Sequence, residues 1–73
     1  MVSPMASNTA MYVAKSVSAY RLIQKMSQAE LAEKCGVSRQ FIDQIERGRA
    51  VPSMKTLEAL AVAFGVKPSD LLP

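Results

Sequence analysis

The sequence predicts an all-α domain of five helices, and three observations carry that prediction. Hydrophobic residues make up 49% of the 73 positions. They are mostly Ala, Val, Leu, Ile and Met, with aromatics confined to Tyr12, Tyr20, Phe41 and Phe64, a balance that favours a small helical bundle over a sheet. The glycines, Gly36, Gly48 and Gly65, each sit where a helix should stop, because a left-handed residue there is cheap for glycine. Ser27, Ser38 and Ser53 each precede a helical run, as capping residues do.

Taken in order, residues 1–11, "MVSPMASNTAM", carry small polar residues, a proline and no periodicity, and read as a flexible arm; residues 12–73 form the folded domain. Residues 12–25 read as helix 1, with Val13, Val17 and Tyr20 at helical spacing. Helix 2 opens with a capping box, Ser27 and Glu30, and a hydrophobic staple, Met26 and Leu31; Gly36 ends it. Val37 and Ser38 alone then separate it from helix 3, which runs from Arg39 to about Arg47 and stops at Gly48. Two short helices joined by so tight a glycine-containing turn carry the helix-turn-helix signature. Their close crossing needs a small residue, which Ala32 supplies, and Leu31, Cys35, Val37, Ile42 and Ile45 supply the apolar faces. "RAVPS" is a loop. Helix 4 is "MKTLEALAVAF", capped by Ser53, with Leu57, Leu60, Ala61 and Phe64 on one face. "VKPSDLL" reads as a short fifth helix with Pro68 in its first turn; of Leu71 and Leu72, one is available to close the core and the other to face a partner.

Composition bounds the function. One domain of this length buries only about 60% of the surface its unfolded chain exposes, so a dimer or a ligand would add stability. The net charge of +3 points weakly to a polyanionic partner. The single cysteine, Cys35, excludes an intrachain disulfide. It sits on the apolar face of helix 2 and reads as a small hydrophobe, against the alternative of a redox sensor. The first positive charge is Lys15, so the amino terminus lacks the charged start of a signal peptide. No apolar run reaches the ~18 residues of a membrane span. A cytoplasmic protein is expected. With no histidine, His-based metal sites and Ser-His or Cys-His nucleophile pairs are excluded, and no glycine-rich phosphate loop exists. No enzyme activity, cofactor, metal or small-molecule ligand is expected.

"RLIQKMSQAELAEKCGVSRQFIDQIERG", followed by "PSMKTLEALAVAFGVKPSDLL", resembles the phage-repressor type of helix-turn-helix domain, the Cro/C1 or XRE family. The resemblance runs from about residue 13 to 72. It implies a lambda-repressor-like fold of five helices and DNA binding, usually as a symmetric dimer. The sequence departs from the family at Lys25, where a Gly is common, at Ser18, where a second basic residue is common, and at Cys35, which replaces Leu or Val.

In such proteins the amino-terminal part of the second helix of the motif reaches base edges in the major groove. Here that part is Arg39, Gln40, Asp43 and Gln44. Arg39 can bridge the two acceptors of guanine, and Gln40 or Gln44 can pair with adenine. Asp43 can accept from cytosine, or it can hold Arg39 one turn away; both readings stand. The plain alternative for all four is solvated surface. Phe41 belongs either to the core or against a thymine methyl. Gln28, at the start of helix 2, suits a phosphate, and Arg47, Arg49 and Lys55 would lie along the DNA backbone. The resemblance further implies that Arg21 pairs with Glu46 and fastens the reading helix to its scaffold. The expected dimer surface is Val66, Pro68, Leu71 and Leu72. The function expected is a sequence-specific transcriptional regulator, most simply a repressor, bound as a homodimer to a palindromic site on double-stranded DNA. The alternatives are an antitoxin and the controller protein of a restriction-modification system.

Overall fold

The computed structural model describes residues 8–73. The elements run in the order α1 (Asn8–Ile23), α2 (Gln28–Cys35), α3 (Arg39–Glu46), α4 (Met54–Phe64) and a 3-10 turn (Pro68–Leu71). Among the described residues, four helices and one turn therefore replace the expected five helices. The last segment is too short for an α-helix: Pro68 donates no N–H, and four residues form a single 3-10 turn. Its entry is fixed by Asp70, whose Oδ2 accepts from the Lys67 backbone N–H at 3.0 Å.

The expected arm falls partly on residues 1–7, which lie outside the described residues. Its last four residues are not arm but the first turn of α1. Ala10 is the cause. It continues the stripe of Ala14, Val13 and Val17 back by one turn, and all four are buried. Alanine is the best helix former but signals burial only weakly in a sequence.

At its other end α1 stops at Ile23, two residues early. Lys25 adopts φ 59°, a left-handed conformation that turns the chain, and its N–H donates to Leu22 O at 3.0 Å. The turn delivers Ser27 to its capping position. Ser27 Oγ accepts from Glu30 N–H at 3.0 Å and Glu30 Oε1 accepts from Ser27 N–H at 2.9 Å.

The core is one cluster at the meeting point of all the elements, with Val13, Val17, Leu31, Ile42, Ile45, Leu60 and Leu71 fully buried. Tyr20, Met26, Cys35, Val37, Phe41, Val66 and Leu72 pack around it, partly buried. Burial pushes the Cys35 thiol up, as suits a packed side chain. Two contacts lock the far ends of α1 and α4 together. Gln24 Nε2 donates to Phe64 O at 2.8 Å, and the Tyr20 and Phe64 rings stack with centroids 5.5 Å apart. Among the described residues, no helix is long and apolar enough to cross a membrane.

Candidate nucleic-acid interface

α3 is positioned by its apolar side and displayed by its polar one. Ile42 and Ile45 are fully buried, which leaves Arg39, Gln40 and Gln44 exposed on the other side of the helix. Ser38 caps the helix, its Oγ accepting from Phe41 N–H at 3.0 Å. The turn before it depends on Gly36 at φ 69°, and Val37 N–H returns to Ala32 O at 3.0 Å. Phe41 is partly buried against the core.

Beneath the polar face lies a forked ion pair. Arg21 Nε donates to Glu46 Oε2 at 2.7 Å and Nη2 donates to Oε1 at 3.0 Å. Nη1 donates to Met26 O at 2.9 Å. The two side chains are 14% and 8% exposed. A two-bond fork of this kind fixes orientation as well as distance. It ties α1, α3 and the turn before α2 in one place. The hydrogen bond to Glu46 raises the Arg21 pKa above its ordinary value, against the opposing effect of burial and with a smaller upward effect from the Glu46 charge.

The network continues outward through Gln28, the first residue of α2. Its Nε2 lies 3.2 Å from Glu46 Oε1 and 3.3 Å from Asp43 Oδ1, donating to both. Its Oε1 accepts from Arg39 Nη1 at 3.2 Å. Asp43 in turn accepts from Arg47 Nε on Oδ2 at 2.8 Å. The bond from Arg47, then that from Gln28, holds the Asp43 carboxyl below its usual range. The structure thus brings Arg21, Gln28, Arg39, Asp43, Glu46 and Arg47 into one hydrogen-bonded chain. Gln40 and Gln44 are exposed on α3. Arg49 and Lys55 stand apart, exposed in the loop after α3 and in the first turn of α4.

Two placements differ from the sequence expectations. Asp43 holds Arg47 directly, one turn toward the carboxy terminus, and reaches Arg39 only through Gln28. Both arginines stand four residues from Asp43, so spacing alone favoured neither. Leu71 is fully buried and closes the core, which removes it from any partner surface; Val66, Pro68 and Leu72 are partly exposed. The bridging position of Gln28 had no signal in the sequence, because it depends on how close α2 comes to α3.

A profile of the helix-turn-helix family matches residues 17–71. The chain belongs to the helix-turn-helix family. Among the relatives of this helix-turn-helix protein is the immunity repressor protein of Bacillus phage phi105, 42% identical over 62 residues, or 85% of this chain and 43% of the repressor. The control protein C.BamHI of Bacillus amyloliquefaciens is 38% identical over 69 residues, 93% of this chain and 85% of that protein. Among solved structures, the biofilm master regulator SinR in complex with DNA superposes with a TM-score of 0.76 at 32% identity, over 81% of this chain and 95% of that one. The helix-turn-helix chain thus spans less than half the length of the phage repressor and most of the controller protein. The matched residues include α2, the Gly36–Ser38 turn and α3.

Proposed function

We propose that this helix-turn-helix protein is a sequence-specific double-stranded DNA-binding transcriptional regulator, most simply a cytoplasmic repressor that occludes a promoter. It binds a palindromic operator as a homodimer with α3 in the major groove. The observation that supports this reading best is the α3 face. Its apolar side is anchored by Ile42 and Ile45, and its outward side presents Arg39, Gln40, Asp43 and Gln44, whose donors and acceptors suit base edges. Around it, Gln28, Arg47, Arg49 and Lys55 contact phosphates, which sets the register without reading sequence.

Val66, Pro68 and Leu72 form the dimer contact. Val62, an exposed apolar residue in the last turn of α4, adds area a few residues before Val66. The two α3 helices then engage half-sites about 34–36 Å apart.

Selection of bound sequences from a random duplex DNA pool tests the proposal. Recovery of a palindrome with half-sites one helical turn apart supports it, and no enrichment over the starting pool overturns it. A second reading, the controller protein of a restriction-modification system, is favoured by the near end-to-end similarity to C.BamHI. Such a regulator activates as well as represses, and restriction and methyltransferase genes beside the gene for this chain would select it.

A further inference from the structure

The homodimer proposed above needs more surface than the residues so far assigned to it. Val62, Val66, Pro68 and Leu72 form a small patch, whereas a stable interface takes roughly 20 residues a side. We propose that the contact continues from the 3-10 turn onto a groove along α1, where a second copy of this chain docks about a two-fold axis with Lys15 of each protomer against Asp70 of the other. The inference rests on the homodimer reading and names the surface and the charges that form it.

The groove has a volume of about 460 Å³, and its lining includes Tyr12, Lys15, Ala19, Tyr20 and Ile23 of α1 and Asp70 of the turn. The α1 residues recur at helical spacing and make one stripe. Its floor is fixed, because the Tyr20 ring stacks on Phe64 with centroids 5.5 Å apart. Its walls are uncovered: Ile23 is 76% exposed and Tyr12 45%. Apolar side chains gathered round a groove in this way mark an interaction surface, and covering them supplies the hydrophobic gain that the monomer leaves unused. The groove adjoins the expected dimer contact, since Asp70 stands on the same turn as Pro68 and two residues before Leu72. The stripe also leaves the reading helix free. Ala19 and Ile23 each stand two residues from Arg21, about 200° round the helix, and Arg21 faces Glu46 of α3. A protomer seated on the stripe therefore covers the side of α1 away from the helix-turn-helix.

Charge selects the occupant. A two-fold interface sets one residue against a second and the second against the first, so the patch must complement itself. Lys15 and Asp70 place opposite charges on one groove. Neither takes part in an ion pair among the described residues. The Asp70 carboxylate is held in place by the Lys67 backbone N–H, which donates to Oδ2 at 3.0 Å. A second copy satisfies both charges at once, in two equivalent pairs. A partner of one sign, acidic or basic, would set one of the two against its like, which disfavours it.

Sedimentation equilibrium of the full chain tests the proposal with K15E, D70K and I23E. Each reversal of charge alters two contacts by symmetry, so K15E and D70K should each weaken self-association tenfold or more. I23E, at a position exposed in the monomer, should do the same with its helical circular dichroism unchanged. An equal mixture of K15E and D70K should associate again, because each contact of that mixed dimer sets one acid against one base. D70K also loses the acceptor for the Lys67 N–H. If circular dichroism shows it unfolded, D70N takes its place, and K15E should bind D70N more tightly than it binds itself. Weakening of the single variants without recovery in the mixture overturns the inference. Variants that dimerise as the parent does also overturn it, and leave the homodimer reading intact. A parent that stays monomeric, free and on duplex DNA, overturns the homodimer and this inference with it.

Discussion

Arg21 and Glu46 hold the polar face in place, and the stability of the domain should depend on them. Their side chains are 14% and 8% exposed, and three guanidinium bonds converge at that point. Glu46→Ala leaves a nearly buried guanidinium facing only one carbonyl, a loss of about 3 kcal/mol, toward the lower end for a broken buried pair. Asp43→Ala removes a contact from a solvated i, i+4 pair, and such pairs contribute little. The melting temperature of Glu46→Ala should therefore fall well below that of Asp43→Ala; equal melting temperatures would refute the fastening role. The capping carboxylate makes a second prediction. Glu30 has its pKa lowered from the usual 4.5, first by the Ser27 backbone N–H and then by the Ser27 hydroxyl. Its folded-state pKa lies below the unfolded one, so its stabilisation is complete above 4.5 and fades as pH falls through the folded value. The gap in urea midpoint between the parent and Glu30→Ala should be full at neutral pH and narrow well below pH 4.5; a constant gap would show that the charge plays no part. At this scale the sequence was legible where a residue's role is local. Ser27, Ser38 and Ser53 all cap the helices ahead of which they stand. Asp43 was legible only as a set of alternatives, since two arginines stand at equal spacing and α2 decides between them.

Elements make their own demands on backbone conformation, and two positions with the same left-handed geometry should respond in opposite directions. Lys25 stands at φ 59° and Gly48 at φ 74°. A side chain in this region costs roughly 1 kcal/mol or more, which glycine avoids at a smaller entropic loss. Lys25→Gly should raise stability by up to about 1 kcal/mol, and Gly48→Ala should lower it by about 1–2 kcal/mol. A Cβ at Gly48 would also meet Met11 Sδ at 2.8 Å, but a thioether end can swing aside, so the backbone term dominates. Denaturant midpoints of the two variants check both signs, and a destabilised Lys25→Gly would show that the Lys25 side chain makes a compensating contact. The helices themselves were legible because caps, glycine stops and apolar spacing agree at α2, α3 and α4. The first turn of α1 was not, because Ala10 signals helix and burial too weakly in a polar stretch. The fifth helix was overestimated, because a four-residue segment with Pro68 in its first turn does not distinguish a 3-10 turn from a helical one.

At the scale of the whole molecule, the proposed interface predicts how binding responds to salt. Of the proposed phosphate contacts Gln28 contributes no charge, whereas Arg47, Arg49 and Lys55 are exposed cations. If these neutralise about three phosphates per domain, log K should fall against log salt with a slope near −2.7 per domain. Lys55→Ala should make that slope shallower by about 0.9 while leaving the preferred sequence unchanged. Slopes from binding titrations across a range of salt check this, and a slope near zero would remove phosphate contact from the account. What the sequence determined by itself was the helical class, the tight turn between α2 and α3, and which residues could face outward on α3. Those are consequences of spacing and local chemistry, written within one or two helical turns. The tertiary structure decided the partners: that Gln28 bridges Arg39, Asp43 and Glu46, that Gln24 reaches the end of α4, and that Leu71 rather than Leu72 fills the core. Each of those joins residues distant along the chain or chooses between equivalent neighbours. Such choices depend on where packed helices bring side chains within hydrogen-bond reach, a matter of a few ångströms that spacing along one helix does not encode.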